Sequence, residues 1–422
     1  MSQSVHLSRG QQRFQFEIDD RIDLWISSQP CLPPMDDIAF ADAVHNALQD
    51  PTDYPPVADG IVPGDVVAIV VDPELPQPAA AIAGVLRALA AVELSRIDVV
   101  IAESATDQTR ATIRESLPPG VELTVHSGKS RDDLRYLAAN EAADPVYLNR
   151  RIVDADLVIP VMVARSSDPV LASSTASPIF PALADYQSQF RAQLTAQDMI
   201  RLTSQRRSTS DDEAMRVGWL LGLQWTVSVE VNADGEPCIV YAGTPDLMAA
   251  RSREHEAGSE CPFAAEIVVA CVDGGEQQQS IPNVLRAALA ARAIAAGDAT
   301  IVVVSDVAGL GTVADFDSES NELDDENDQE GPSQAAPWIT ATQHATNLLS
   351  SLINELDSSQ RYLLVSQCDD EEVESFGFGA IRDVDSLARL INGHQSCSVI
   401  RSAQLASVKQ NASLSDRPSG RR

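Results

Sequence analysis

Short, almost uninterrupted apolar runs are the feature of this sequence that most limits its fold. The clearest are Val66–Val71, Leu157–Val163 and Glu266–Val272. A strand that is apolar on both sides has to be covered on both faces, which is typical of parallel sheets flanked by helices. Each run is followed by a polar loop and then by a helical pattern, so the sequence predicts an α/β fold.

A strand–helix–strand order is predicted once in each half of the chain. In the first half these elements are expected at Val66–Val71, Ala79–Val92 and Ile97–Ala102. In the second half they are expected at Glu266–Val272, Val284–Ala296 and Ala299–Val304. We therefore predict two α/β domains with largely parallel or mixed sheets flanked by helices, and a cleft between them.

The predicted boundaries follow from this pattern. Residues 1–256 are assigned to an N-terminal domain and residues 257–406 to a C-terminal domain. Residues 315–330 interrupt the second domain with nine carboxylates among sixteen residues. Because no glycine stands at the turn position of an EF-hand, this segment is interpreted as a solvated, mobile insertion and not as a calcium loop. Residues 407–422 are predicted to be a disordered tail.

Composition excludes several classes of protein. The net charge of −32 argues against nucleic acid and against anionic membranes, which both attract clustered cations. The first residues lack the apolar core of a signal peptide, and no apolar run approaches the ~20 residues that span a bilayer. The six cysteines form no CxxC pair, which favours reduced thiols. We expect an acidic, cytoplasmic protein.

The loop after Leu157–Val163 is the expected floor of a binding site, because ligands of α/β sheets sit at the carboxyl ends of strands. The stretch from Asp154 to Tyr186 contains no His, Lys, Cys or Glu. Its polar candidates are Arg165, Ser173 and Ser177, although serines in such loops more often cap backbone amides.

Two further candidates end predicted strands, and both have a structural interpretation as well. Asp72 follows the strand Val66–Val71 and could bind a ligand or cap a turn. His126 closes the predicted strand Val121–His126, and a histidine bonded to backbone is the commoner case there.

Five segments of the chain occur in the order of a known family. They are VVDPELPQP from Val70, VHSGKSRDDLRYL from Val125, PVYLNRRIVDADLVIPVMV from Pro145, ADYQ from Ala184 and VSVEVNADGEPCIVYAGTP from Val227. Together they resemble the lactate racemase family, the nickel-pincer-nucleotide 2-hydroxyacid racemases and epimerases. The resemblance spans nearly the whole chain, and it implies an activity that uses a covalently tethered nickel cofactor.

The positions that carry the family's chemistry hold other residues here. The resemblance places Ser177 where relatives have the lysine that tethers the pyridinium-derived cofactor. Ser167 and Asp107 stand at the positions of the two acid–base histidines. Gln193 stands near the position of the nickel-binding histidine, and Leu75 at that of the arginine that contacts the substrate carboxylate.

These replacements predict that the nickel-pincer nucleotide and its metal are absent. The tether needs an amine, and amides bind nickel far more weakly than imidazole does. The only lysines of the chain are Lys129 and Lys409. Lys409 lies in the predicted tail, so Lys129, which follows the strand end at His126, is the one amine that could reach a cleft.

Three functions remain open at this point, in order of preference. The first is a non-catalytic protein that binds a small anionic or hydroxyacid-like ligand on a racemase scaffold. The second is a nickel-independent enzyme that uses Asp72, Asp107, His126 and Arg165 in the same cleft, although a carboxyl with an ordinary pKa of about 3.9 is a weak base. The third is an active 2-hydroxyacid racemase whose functional residues stand at other positions.

Overall fold

The computed structural model describes most of the chain. The described residues are 2–10, 12–27, 32–140, 142–164, 175–201, 209–232, 234–255, 260–275, 278–310, 341–355, 361–406 and 408–410. Arg165, Ser167 and Ser173, the side chain of Gln193, the predicted insertion at 315–330 and residues 411–422 lie outside this part.

Eighteen strands and eleven α-helices make up the described fold. The strands are β1 (Ser2–Arg9), β2 (Gln12–Asp19), β3 (Asp23–Ile26), β4 (Val66–Val71), β5 (Arg96–Ile101), β6 (Val121–Val125), β7 (Leu134–Ala139), β8 (Pro145–Asn149), β9 (Leu157–Val163), β10 (Thr226–Val231), β11 (Pro237–Gly243), β12 (Glu260–Cys261), β13 (Ala265–Cys271), β14 (Ala295–Val304), β15 (Arg361–Val365), β16 (Gly379–Ala380), β17 (Ser396–Ile400) and β18 (Lys409–Gln410). The helices are α1 (Asp37–Gln49), α2 (Pro78–Leu89), α3 (Asp107–Ser116), α4 (Arg150–Val153), α5 (Tyr186–Arg201), α6 (Thr209–Leu220), α7 (Pro245–His255), α8 (Ile281–Ile294), α9 (Ala341–Glu355), α10 (Asp370–Ser375) and α11 (Val384–Ile391).

The first large sheet has the order β11-β10-β9-β4-β5-β6, and all of its neighbouring strands are parallel except β10 and β11. Val67 and Ile69 of β4 pack on one face with Phe40 of α1 and other residues of α1 and α2. Ala68 of β4 packs on the other face with Ile179 and neighbouring apolar residues. Both faces are covered, which explains the apolar run of β4.

The second large sheet has the order β16-β15-β14-β13-β17-β3 and is parallel throughout. Residues of α8 and α9 cover one face. The hairpin β1–β2 and residues of α11 cover the other, where Val5, Leu7, Phe16 and Ile18 are buried. The predicted α/β class with two flanked sheets is therefore confirmed.

The N-terminal segment of the chain contributes to the second large sheet. Strand β3 pairs in parallel with β17, and the hairpin β1–β2 packs on the same second sheet. The alternation of apolar and polar residues at 5–18 indicated a hairpin with one buried face. It did not indicate which sheet that face covers, because the covering sheet is formed by residues far away in sequence.

One predicted strand boundary differs from the structure. The strand expected at Val146–Val153 ends at Asn149 because the Asn149 side chain accepts a hydrogen bond of 2.9 Å from the Arg151 amide and caps α4. Of the predicted tail at 407–422 the structure describes residues 408–410, where Val408 is buried and β18 pairs in parallel with β12.

Candidate functional site

Each large sheet contains one point at which the strand order reverses. In the first sheet β4 and β9 are neighbours, and the chain continues outwards from them in opposite directions. In the second sheet the chain continues from β13 to β14, β15 and β16 on one side, while β17 and the N-terminal strand β3 lie on the other side of β13. Ligands of open α/β sheets bind outside the carboxyl ends of the strands at such points. Two candidate positions follow, one in each half.

Asp72 closes the reversal point of the first sheet. Its Oδ2 atom accepts a hydrogen bond of 3.2 Å from the Val163 amide, and its Oδ1 atom accepts one of 2.9 Å from the Glu74 amide. The side chain is buried, so Asp72 joins the ends of β4 and β9 through backbone groups. The turn-capping role considered from the sequence is the one that these bonds support.

Asp273 closes the second reversal point in a similar way. Its Oδ2 atom accepts hydrogen bonds of 2.8 Å from the amide and 2.7 Å from the hydroxyl of Ser402, which follows β17. Burial raises the pKa of the Asp273 carboxyl above its ordinary value. In both halves, then, an aspartate after a central strand joins that strand to its neighbour across the reversal point.

A crevice lies between the two halves, next to both aspartate loops. Its lining comes from the first half through Glu74, Pro76, Val163, Val231 and Gly235, and from the second half through Gln278, Asn283, Arg286 and Leu405. The space that these residues enclose amounts to about 10 Å³, room for about one water molecule, and the crevice opens to solvent. The predicted cleft between the halves is therefore present, and it is narrow.

The polar centre of this crevice is Arg286 on α8. Its Nη1 atom lies 3.0 Å from Oε2 of Glu74, and its Nη2 atom lies 3.5 Å from Oε1 of the same carboxylate. Nη1 also donates a bond of 2.6 Å to Oδ1 of Asn283, whose own amide donates to the Gln278 carbonyl at 2.8 Å. Arg286 is thus held from the second half and paired with a carboxylate of the first.

Leu75, Asp107 and Ser177 stand at three of the family positions, and the structure describes all three. Leu75 is 4% exposed and packs in the core of the first sheet, next to α2. Asp107 begins α3 with a side chain that is 99% exposed, and it pairs with Arg110 at 3.3 Å. Ser177 is half-buried in the turn that precedes α5. None of the three is part of the crevice lining.

His126 is held by two hydrogen bonds. The Asn149 amide lies 3.1 Å from Nδ1, and the Ala184 carbonyl lies 2.9 Å from Nε2. Since Oδ1 of Asn149 already accepts from the Arg151 amide, its Nδ2 donates to Nδ1, and Nε2 carries the ring proton. Burial lowers the pKa of His126 below its ordinary value. The ring is therefore neutral, and it fastens the end of β6 to the turn before α5.

A polar cluster at the ends of β5 and β6 was missed by sequence reasoning. The Tyr186 hydroxyl is hydrogen-bonded to Glu103 and Ser127, and burial raises the pKa of Tyr186 to about 12. The Lys129 ammonium lies 5.6 Å from the centre of the Tyr186 ring. A Cβ atom at Gly128 would lie 2.7 Å from that ring, so glycine is needed there. Lys129, the amine considered for a cofactor tether, thus lies against Tyr186.

The described residues contain neither a cluster of metal ligands nor a membrane-spanning helix. Within the described ranges, no three His, Cys, Asp or Glu side chains converge in a way that could hold a metal ion. Among the described helices, none is long and apolar enough to cross a bilayer.

The fold is that of an α/β protein with two large flanked sheets and a crevice between its halves. Residues 9–186 match the family model of the lactate racemase N-terminal domain. The predicted resemblance to the lactate racemase family is therefore confirmed over residues 9–186.

Solved structures share the fold over nearly the full length. The lactate racemase apoprotein from Thermoanaerobacterium thermosaccharolyticum is similar with a TM-score of 0.74 at 15% identity, covering 97% of this chain and 100% of that chain. A structural-genomics protein from Thermotoga maritima is similar with a TM-score of 0.58 at 10% identity, covering 91% of this chain and 100% of that chain. A comparison with curated proteins finds no match.

Proposed function

We propose that this protein binds a small anionic, hydroxyacid-like ligand in the crevice and does not carry out nickel-dependent racemisation. The observation that carries the proposal is the lining of the crevice. The lining residues include one arginine, two side-chain amides and one carboxylate, but no imidazole and no amine among the described residues. Such a set can bind a ligand, but it lacks the groups that the family reaction requires.

The cofactor of the family does not fit the described residues. A tether requires an amine, whereas the matching position offers the Ser177 hydroxyl, and Lys129 lies against Tyr186. A carboxylate clamp requires a cation, whereas Leu75 is buried in the core. Acid–base catalysis requires a group in the crevice, whereas Asp107 is directed into solvent. No reaction step is therefore assigned to a nickel-pincer nucleotide.

The crevice offers the groups that a hydroxyacid would need. A guanidinium binds a carboxylate through two parallel hydrogen bonds, and Arg286 already binds the Glu74 carboxylate with both terminal nitrogens. The side-chain amide of Gln278 lies in the same lining and can bond a hydroxyl group, whereas that of Asn283 is already bonded to Arg286 and to the Gln278 carbonyl. The enclosed space of about 10 Å³ accepts a carboxylate only if a lining side chain moves aside.

The alternative of a nickel-independent enzyme finds less support. Asp72 and His126 are two of the four residues expected to serve it, and both use their polar atoms to join parts of the first half. Asp107 lies in solvent. Arg165, the fourth expected group, lies outside the described residues.

Titration of the purified full-length protein with L-lactate, D-lactate and the neutral analogue lactamide tests the proposal. We expect saturable calorimetric binding of the lactates, no binding of lactamide, and no interconversion of the enantiomers. Arg286→Met should weaken lactate binding at least about tenfold, because a charged hydrogen bond contributes about 1.5–3 kcal/mol. Arg87→Met is the matched control, since Arg87 forms a half-exposed ion pair with Asp42 elsewhere. Racemisation, or equal binding by Arg286→Met, would contradict the proposal.

A further inference from the structure

We propose that Glu74 is a built-in carboxylate that occupies the anion position of Arg286, so that a ligand carboxylate binds by displacing it. This inference rests on the proposed binding function and adds a self-inhibiting contact to it. The ligand class is a small monocarboxylate that matches the Glu74 side chain in charge and shape.

The geometry of the pair is that of a bound carboxylate ligand. Both carboxylate oxygens of Glu74 face Arg286, at 3.0 Å from Nη1 and 3.5 Å from Nη2. Asn283 fixes the guanidinium from behind through its bond of 2.6 Å to Nη1. A fork of this kind accepts any carboxylate in the same plane, so an external one would bind in the same way.

Exposure indicates which partner moves. The Arg286 side chain is 13% exposed, whereas that of Glu74 is 41% exposed. Arg286 stands on a long helix that packs in the second core, while Glu74 lies in the loop between β4 and α2. The Glu74 backbone is held by Asp72 through its amide. A rotation of the Glu74 side chain alone would open the position, without movement of the loop.

A further donor of Arg286 is unused. Its Nε atom is buried and has no hydrogen-bond partner among the described residues. A buried donor without a partner is costly, and a compact ligand that reached deeper than Glu74 could satisfy it. The Glu74 carboxylate is therefore an incomplete partner for the guanidinium, as expected of a group that yields to a ligand.

The physical consequence is competition between a tethered and a free carboxylate. A tethered group acts at an effective concentration that is on the order of millimolar for short flexible links. A free ligand therefore competes with Glu74 for Arg286, and its apparent affinity is weakened by this effective concentration. Neutralising Glu74 removes the competitor and leaves the arginine in place, so the affinity for small carboxylates should rise.

Calorimetric titration of the full chain with L-lactate tests this inference. Glu74→Gln and Glu74→Ala should each lower the Kd about tenfold or more relative to the unmodified protein. Asp42→Asn, which breaks the exposed pair with Arg87, should leave the Kd unchanged. The double variant Glu74→Gln, Arg286→Met should not bind.

The outcomes separate this inference from the function on which it rests. If the unmodified protein binds lactate and both folded Glu74 variants bind it equally or more weakly, the self-inhibiting contact is wrong and the binding function stands. If neither the unmodified protein nor the Glu74 variants bind lactate, the proposed function itself fails. Thermal unfolding of each variant shows that a loss of binding is not a loss of fold.

Discussion

Replacement of His126 by alanine should lower the free energy of unfolding by about 3 kcal/mol. The ring is buried and makes two hydrogen bonds, one to the Asn149 side chain and one to the Ala184 carbonyl. The substitution removes both, leaves the buried Asn149 amide without this acceptor, and opens a cavity. Urea unfolding followed by circular dichroism measures the loss.

A matched control is His6→Ala, because His6 lies on an exposed position of β1. That change should stay within about 0.5 kcal/mol. A loss below about 1 kcal/mol for His126→Ala would show that the two hydrogen bonds do not hold the turn before α5.

Titration of His126 should make the stability of the protein depend on pH. Burial lowers the pKa of His126, so the folded protein keeps the ring neutral. In the unfolded chain the same ring takes up a proton as the pH falls below the ordinary histidine pKa of 6.5. The unfolded state then binds more protons, and stability falls as the pH drops from 6.5 towards the lowered pKa. His126→Gln, which cannot titrate, should lose this part of the dependence between pH 7.5 and pH 5.

Replacement of Asp273 by alanine should also cost about 3 kcal/mol of unfolding free energy. The carboxylate accepts from the amide and the hydroxyl of Ser402, and from Ser8, at a buried position. Alanine leaves these donors without their acceptor and separates the ends of β13 and β17. Asp273→Asn keeps an acceptor oxygen in nearly the same place and should cost much less.

The pH dependence of Asp273 has the opposite sign to that of His126. Burial raises the pKa of this carboxyl, so the folded state holds the proton more tightly than the unfolded chain does. Its contribution to stability therefore decreases as the pH rises from the ordinary value of 3.8 through the raised pKa. The stability of Asp273→Asn relative to the unmodified protein should therefore increase across that pH range. An Asp273→Ala variant as stable as the unmodified protein would show that Asp273 does not hold the ends of β13 and β17 together.

Local patterns predicted the elements of the fold well. Strands covered on both faces have no polar positions, so Val66–Val71 and Leu157–Val163 were found with their observed bounds. Pairing partners were not predicted, because they depend on residues far apart in sequence. The pairing of β3 with β17 and that of β12 with β18 are examples.

The candidate site was predictable in part. Asp72 and His126 stand out as polar residues after apolar strands, but their partners, Val163 and Asn149, come from other segments. The pair of Glu74 and Arg286 was not found, because the two residues are 212 positions apart and neither belongs to a local motif. The resemblance pointed to Leu75, next to Glu74, as a position that had changed.

Intact mass and nickel analysis of the protein, coexpressed with the enzymes that make the nickel-pincer nucleotide, tests the central claim most directly. We predict an unmodified mass and no bound nickel, because the matching loop position holds Ser177 and Lys129 lies against Tyr186. A covalent adduct that carries nickel and disappears in Lys129→Ala would contradict the claim and would make the protein a racemase with a relocated tether.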